Sequence, residues 1–212
     1  ACGGDDEATD ESGVAGVDVT RGGILKVTSF GTHTTLDPPF QLTQADILIT
    51  MHTYDNLVQI MPDMTLKPML ATSWESNDDL TSYTFHLRKG VKFHHGKEFK
   101  AEDVIYTFDR LFEVKSPLAS VLDIVTDIVE VDDYTVRFDL SSPNAYLPQL
   151  VVRYQANITP SDIDPEQLAT GTYGTGPFIM TENVVGEHTV LTKNPDYWWE
   201  GYPYLDEVIL VY

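Results

Sequence analysis

The stretch 82–113, SYTFHLRKGVKFHHGKEFKAEDVIYTFDRLFE, carries two hydrophobic periods in succession. Tyr83, Phe85 and Leu87 alternate with Thr84, His86 and Arg88, which predicts a strand with the first three inward. Lys89-Gly90 then turns the chain into Val91-Lys92-Phe93, predicting a strand pair. From Ala101 the period changes. Val104, Ile105, Phe108, Leu111 and Phe112 make one apolar stripe of a helix over 101–113. Glu102 and Asp103 in its first turn and Arg110 near its last suit the helix dipole, while Lys100 is a poor N-cap. Strands beside an amphipathic helix select a mixed α/β (α+β) fold.

The same reading extends outward. Tyr134, Val136, Phe138 and Leu140 alternate and, with Ile128–Val131 across Asp132-Asp133, predict a second hairpin. Leu25 and Val27, after Gly22-Gly23, share one face of a strand. Leu36-Asp37-Pro38-Pro39 must leave regular structure. Residues 44–58 place Ile47, Met51, Tyr54 and Val58 at helical intervals. Val208–Tyr212 is a continuous apolar run, read as a strand buried on both faces. Such a strand at the last residue suggests a sequence that continues in a longer protein.

The chain has 212 residues, the size of one large or two small domains. Asp and Glu number 33 against 13 Lys and Arg, for a formal charge of -20. That balance excludes nucleic acid as a partner, since phosphate binding needs a basic patch. It also excludes docking of the protein surface on anionic lipid. No apolar run approaches the ~20 residues that span a bilayer. One cysteine excludes a disulfide framework and any multi-cysteine metal site.

Residues 1–20, ACGGDDEATDESGVAGVDVT, hold six acidic and no basic or aromatic residues. They cannot bury enough apolar area to offset their ordering entropy and read as a disordered linker. Cys2 heads it, either as an exposed thiol or as a lipidation site. Ala-Cys followed by Gly and acidic residues looks like the tail of a prokaryotic lipoprotein signal. Two acyl chains on that cysteine would suffice for stable anchoring.

Catalytic constellations fail one by one. His33, His52, His86, His94, His95 and His188 form neither HxxxH nor HExxH, so they read as surface or turn residues and no metal is expected. Gly171-Thr172-Tyr173-Gly174-Thr175-Gly176 ends in Pro177 without a following Lys, which favours a tight turn with positive φ over a phosphate cradle. Asp78-Asp79 and Asp132-Asp133 read as turns. Tyr197-Trp198-Trp199 with Tyr202 and Tyr204 could be a ligand platform, but packing is the better account.

Six segments in order resemble the extracellular solute-binding proteins of ABC transporters, family 5, the peptide and nickel type. They are Gly22–Val27 with Leu36-Asp37-Pro38; Tyr54-Asp55-Asn56-Leu57-Val58; Pro68-Met69-Leu70-Ala71-Thr72-Ser73-Trp74-Glu75; Tyr83–His94 with Ala101-Glu102-Asp103-Val104; Gly174-Thr175-Gly176-Pro177-Phe178; and Asn194-Pro195-Asp196-Tyr197-Trp198. Two local departures are His95, where the family usually has Asp, and Lys100, where it often has Thr or Ser. Family members are also usually more than twice this length.

The resemblance implies a periplasmic-binding-protein-like type II lobe with an inserted accessory domain, its second lobe absent. Residues 21–57 and 158–212 would form the ligand-facing lobe and 58–157 the insertion. Trp74, Arg88, Gly90, Pro177 and Trp198 would be structural. Ligand contacts would come from Gln44, Ala45 and Asp46 and from Arg153, Tyr154, Gln155, Ala156 and Asn157, with Asp46 accepting an amine and Arg153 pairing with a carboxylate. The implied function is capture of a small solute, most often an oligopeptide, and its delivery to an ABC permease. The protein would be a monomer in the periplasm or at the cell surface, held to the membrane only through its lipid anchor, with no cofactor. The alternatives are a secreted acidic hydrolase and a ligand-sensing lipoprotein not coupled to transport.

Overall fold

Phe138 stands at the centre of one sheet, edge-on to Phe85 at 5.4 Å and to Phe108 of the covering helix at 5.0 Å. The computed structural model describes residues 20–212; the readings of Cys2 and of the linker up to residue 19 lie outside the described residues. The strands, in chain order, are β1 (Ile24–Thr28), β2 (Val58–Ile60), β3 (Leu66–Pro68), β4 (Ala71–Ser76), β5 (Ser82–Leu87), β6 (Val125–Asp132), β7 (Thr135–Leu140), β8 (Phe178–Val184), β9 (His188–Lys193) and β10 (Glu207–Val211). The two longer helices are α1 (Gln44–Thr53) and α2 (Ala101–Glu113).

The first sheet has the order β4-β5-β7-β6 and is antiparallel throughout. Tyr83, Phe85 and Leu87 of β5 and Val136, Phe138 and Leu140 of β7 are buried, as their alternation requires, and Val104, Phe108 and Leu111 of α2 belong to the same apolar cluster. Lys100 gives α2 no side-chain cap; its backbone N–H instead donates to the Asp103 carboxylate at 3.0 Å. The hairpin at Asp132-Asp133 forms, with β6 starting earlier than expected at Val125. The pair expected at Lys89-Gly90 does not. Gly90 does turn the chain at φ +76°, but β5 is already flanked by β4 and β7, and Val91 and Phe93 descend into the core.

The second sheet has the order β1-β10-β9-β8, with β1 parallel to β10 and the other pairs antiparallel. Its buried face holds Phe178, Leu191, Val208 and Leu210 against Leu36 and Ile49. Strand β10 therefore alternates, contrary to the two-faced burial expected from its composition: Val211 is exposed, and only Val208 and Leu210 are fully covered. On the edge strand β1, Leu25 is likewise exposed, while Val27 packs on the cluster.

Helix α1 also differs from its reading. It stops at Thr53, and its buried stripe is Ala45, Ile49 and Thr53 with Asp46 and Thr50, not Ile47, Met51, Tyr54 and Val58. Thr50 and Thr53 return their hydroxyls to backbone carbonyls one turn back, which lets polar residues occupy the inner face. Met51 is exposed and Val58 lies in β2.

A buried ion pair ties the loop before α1 to α2. The Arg110 guanidinium donates to both Asp37 oxygens, at 2.8 and 2.5 Å, and both side chains are almost wholly buried. Ser116 Oγ adds a bond to the Pro39 carbonyl at 2.8 Å.

Candidate ligand groove

The turn after α1 is built around Asp55. Its carboxylate accepts from Thr175 Oγ1 at 2.9 Å, Tyr197 OH at 3.1 Å and Trp198 Nε1 at 2.8 Å. Its carbonyl accepts the Ile158 N–H at 3.0 Å, so the chain returns beside the point where it left. Burial pushes the Asp55 carboxyl above its ordinary range; those three donors and the charge of Arg88 oppose the rise.

The glycine loop 171–176 closes over this turn. Gly176 N–H donates to the Thr53 carbonyl at 3.1 Å and Tyr173 N–H to the Tyr54 hydroxyl at 3.1 Å. A Cβ on Gly176 would sit 2.5 Å from the Thr53 carbonyl carbon and 2.7 Å from the Tyr54 nitrogen. Neither Gly174 nor Gly176 has positive φ, so close backbone approach, not a left-handed turn, is what demands glycine there. His94 Nε2 meets the Gly176 carbonyl at 3.0 Å; burial lowers the imidazole's pKa and its Nδ1 has no partner. Among the described residues no group of His, Cys, Asp and Glu could hold a metal ion.

Beside Asp55 lies an open groove of about 380 Å³. Met51, Val58, Ile60, Met69 and Val152 supply apolar wall, and Asn56, Gln59, Arg153, Tyr154 and Asn157 supply polar groups. Asn157 is buried and its Nδ2 bonds nothing; Asn56 Oδ1 is also without a partner. Two residues of the groove's lining therefore hold an unpaired amide donor and an unpaired amide acceptor, both shut off from solvent, and an unmade bond at a buried amide costs about 1–3 kcal/mol.

The expected site residues divide. Arg153, Tyr154 and Asn157 line the groove. Gln155 is buried and, like Ala156, lies in the short turn behind the wall. Gln44 is exposed at the start of α1, outside the lining. Asp46 is a correction: it is fully buried and lies outside the groove's lining. Its oxygens accept from the backbone N–H groups of Thr34 (2.6 Å), Thr35 (3.3 Å), Leu42 (3.1 Å) and Thr43 (2.9 Å) and from the Thr34 hydroxyl (3.1 Å). Burial alone would raise its pKa, but these bonds outweigh burial and lower it. Asp46 thus caps α1 and organises the loop before it, with no acceptor capacity left for an amine. Asn56, Gln59 and Met69 were not anticipated. The one sequence signal for Asn56 is a polar amide set between Tyr54-Asp55 and an apolar pair. Of the expected stripe Ile47, Met51, Tyr54 and Val58, the last three line the groove and Ile47 does not.

The description "Bacterial extracellular solute-binding proteins, family 5 Middle" matches residues 65–212. The chain belongs to this family. Among its family 5 relatives, the heme-binding protein A of Haemophilus influenzae is 32% identical over 185 residues, covering 74% of this chain and 34% of the relative. The dipeptide-binding protein of Escherichia coli is 32% identical over 184 residues with the same coverage. This chain therefore spans about a third of the length of the curated relatives it matches. Two similar structures are the ABC transporter-associated periplasmic binding protein DppA of Helicobacter pylori in complex with the peptide STSA, and a dipeptide-binding protein from Pseudoalteromonas in complex with Met-Leu. The first has a TM-score of 0.83 and 30% identity, covering 91% of this chain and 43% of that one. The second has a TM-score of 0.80 and 28% identity, covering 89% and 43%. The fold is that of type II periplasmic binding proteins, and the activity of family 5 is solute binding, not catalysis.

Proposed function

We propose that this chain forms one wall of the ligand site of an ABC importer's solute-binding protein, and that the solute is a short peptide. The observation that carries this reading is the groove with an unpaired amide donor and an unpaired amide acceptor between apolar walls. A peptide backbone presents the complementary pair. Asn157 Nδ2 donates to a peptide carbonyl, Asn56 Oδ1 accepts a peptide N–H, and exposed Arg153 at the rim pairs with a carboxylate. Relatives described as dipeptide-binding support the class of solute. In this reading 21–57 and 158–212 form the ligand-facing lobe and 58–157 the inserted domain. A second lobe closes over the groove, and the loaded, monomeric protein hands its solute to a membrane permease.

Asn157→Leu keeps the size of the side chain and removes the free donor. Calorimetry with a panel of di- and tripeptides should show about tenfold weaker binding, equivalent to about 1.4 kcal/mol, with the melting temperature equal or higher because Nδ2 bonds nothing in the chain. Undiminished affinity in the variant would remove Asn157 from the site, and no binding of any peptide would remove the peptide reading.

The same proposal places the protein outside the cytoplasm, tethered by diacylglyceryl on Cys2. Expressed in a bacterium with its own signal, the native protein should sediment with membranes and the Cys2→Ser protein should appear in the soluble fraction. Equal sedimentation of both would end the anchor proposal.

A further inference from the structure

A second cavity, of about 460 Å³, is lined by Lys67, Pro68, Arg88, Trp198, Trp199 and Glu200. The two cavities share no lining residue, although Gln59 of the groove and Lys67 of this cavity are direct cross-strand partners. Trp198 and Trp199 stack at 5.6 Å with an interplanar angle of 17°. Arg88 sits over Trp198 at 4.4 Å and Lys67 over Trp199 at 4.2 Å.

The charges of this cavity are out of keeping with the rest of the molecule. In a chain with a formal charge of -20, cations that are partly or wholly buried have carboxylates within easy reach: Lys97 takes two, and Arg110 and Arg137 take one each. Among the described residues neither Lys67 nor Arg88 forms an ion pair, and the Lys67 ammonium makes no hydrogen bond. Arg88 spends only its Nε, on the Met69 carbonyl at 3.1 Å. Glu200 borders the same space without bridging to either cation. Two cations and one carboxylate line the cavity with two indoles and a proline ring; Arg88 also acts on the Asp55 carboxylate behind Trp198, whereas Lys67 has no such partner.

We propose that this cavity is a second binding site, distinct from the peptide groove, for a small monoanion with a flat apolar body: an aryl carboxylate. The carboxylate lies between the Lys67 ammonium and the free N–H groups of Arg88, and the ring packs on Pro68 and the indole edges, since the indole faces are covered by each other and by the two cations. Glu200 selects against doubly charged anions by like-charge repulsion. The volume falls in the range of small-molecule sites, about 300–1,000 Å³.

The test titrates the chain with benzoate, with acetate (the charge without the ring) and with benzamide (the ring without the charge). Indole fluorescence and calorimetry are the readouts. Benzoate should saturate, acetate and benzamide should each bind at least tenfold more weakly, and Lys67→Met should weaken benzoate at least tenfold. Lys67→Met should leave peptide titrations unchanged, which separates this site from the groove. The proposal is overturned by a benzoate response that does not saturate, by benzamide or acetate binding as well as benzoate, or by a Lys67→Met protein that binds benzoate like the parent.

Discussion

Arg110→Met should cost the fold about 3–5 kcal/mol, because it leaves the Asp37 carboxylate buried without its partner. Asp37 is 2% exposed and precedes two prolines, so its side chain cannot swing into water without dismantling the loop that leads to α1. Against a typical total of about 5–15 kcal/mol, such a loss is a large fraction. For a chain of this size it corresponds to a fall of about 10 °C in melting temperature, read by circular dichroism. The double variant Asp37→Leu, Arg110→Met removes both charges and should recover most of the loss, since a buried pair competes poorly with apolar residues of similar volume. A single variant within 1 kcal/mol of the parent would show the pair to be dispensable.

Gly176→Ala should be nearly as damaging and should also reach the groove. The added methyl would press on backbone at 2.5–2.8 Å, closer than the 3.0 Å limit that real Cβ atoms respect, and backbone cannot rotate away as a side chain can. Overpacking of this kind costs about 3 kcal/mol. Relief comes only by moving Thr53 and Tyr54 away from the 174–176 loop, and Tyr54 and Asp55 line the groove. Gly186→Ala is the control. It has φ +84° but open space around it, so its cost is about 1–2 kcal/mol of backbone strain with peptide affinity intact. Equal behaviour of the two variants in denaturation and in peptide titration would refute the close-approach account.

What was legible in the sequence follows from what is local. Helix α2 carries its whole explanation in thirteen residues: a wide apolar stripe, acidic first turn, basic last turn. The alternation of β5 and β7 is equally self-contained. Errors arose where a distant partner decides the outcome. Val91-Lys92-Phe93 has the composition of a hairpin strand, yet the edge of β5 it would need is taken by β7, some fifty residues on. In α1 two threonines that satisfy their own hydroxyls sit inward, and the more apolar Met51 is left facing the groove. Asp46 and Asp55 look alike as acidic residues near a helix. One is spent on five donors from its own neighbourhood, the other on donors from beyond residue 170, and only coordinates separate these fates. The returning segment 153–157 was located through its family-like order, not through any property of its residues.

The parallel ladder between β1 and β10 joins segments 183 residues apart, the separation of the bond from Gly23 N–H to the Asp206 carboxylate. The turn between β4 and β5 closes over a handful of residues. By the logarithmic cost of loop closure, bringing β1 to its place takes roughly 2–3 kcal/mol more chain entropy than closing that turn. Contacts of such span are made late in folding, after the local hairpins. Strand β1 must therefore wait, unpaired, until β10 has been made. The β8-β9 hairpin of the same sheet closes as locally as β4-β5, so that sheet grows from β8-β9 through β10 and is completed by β1.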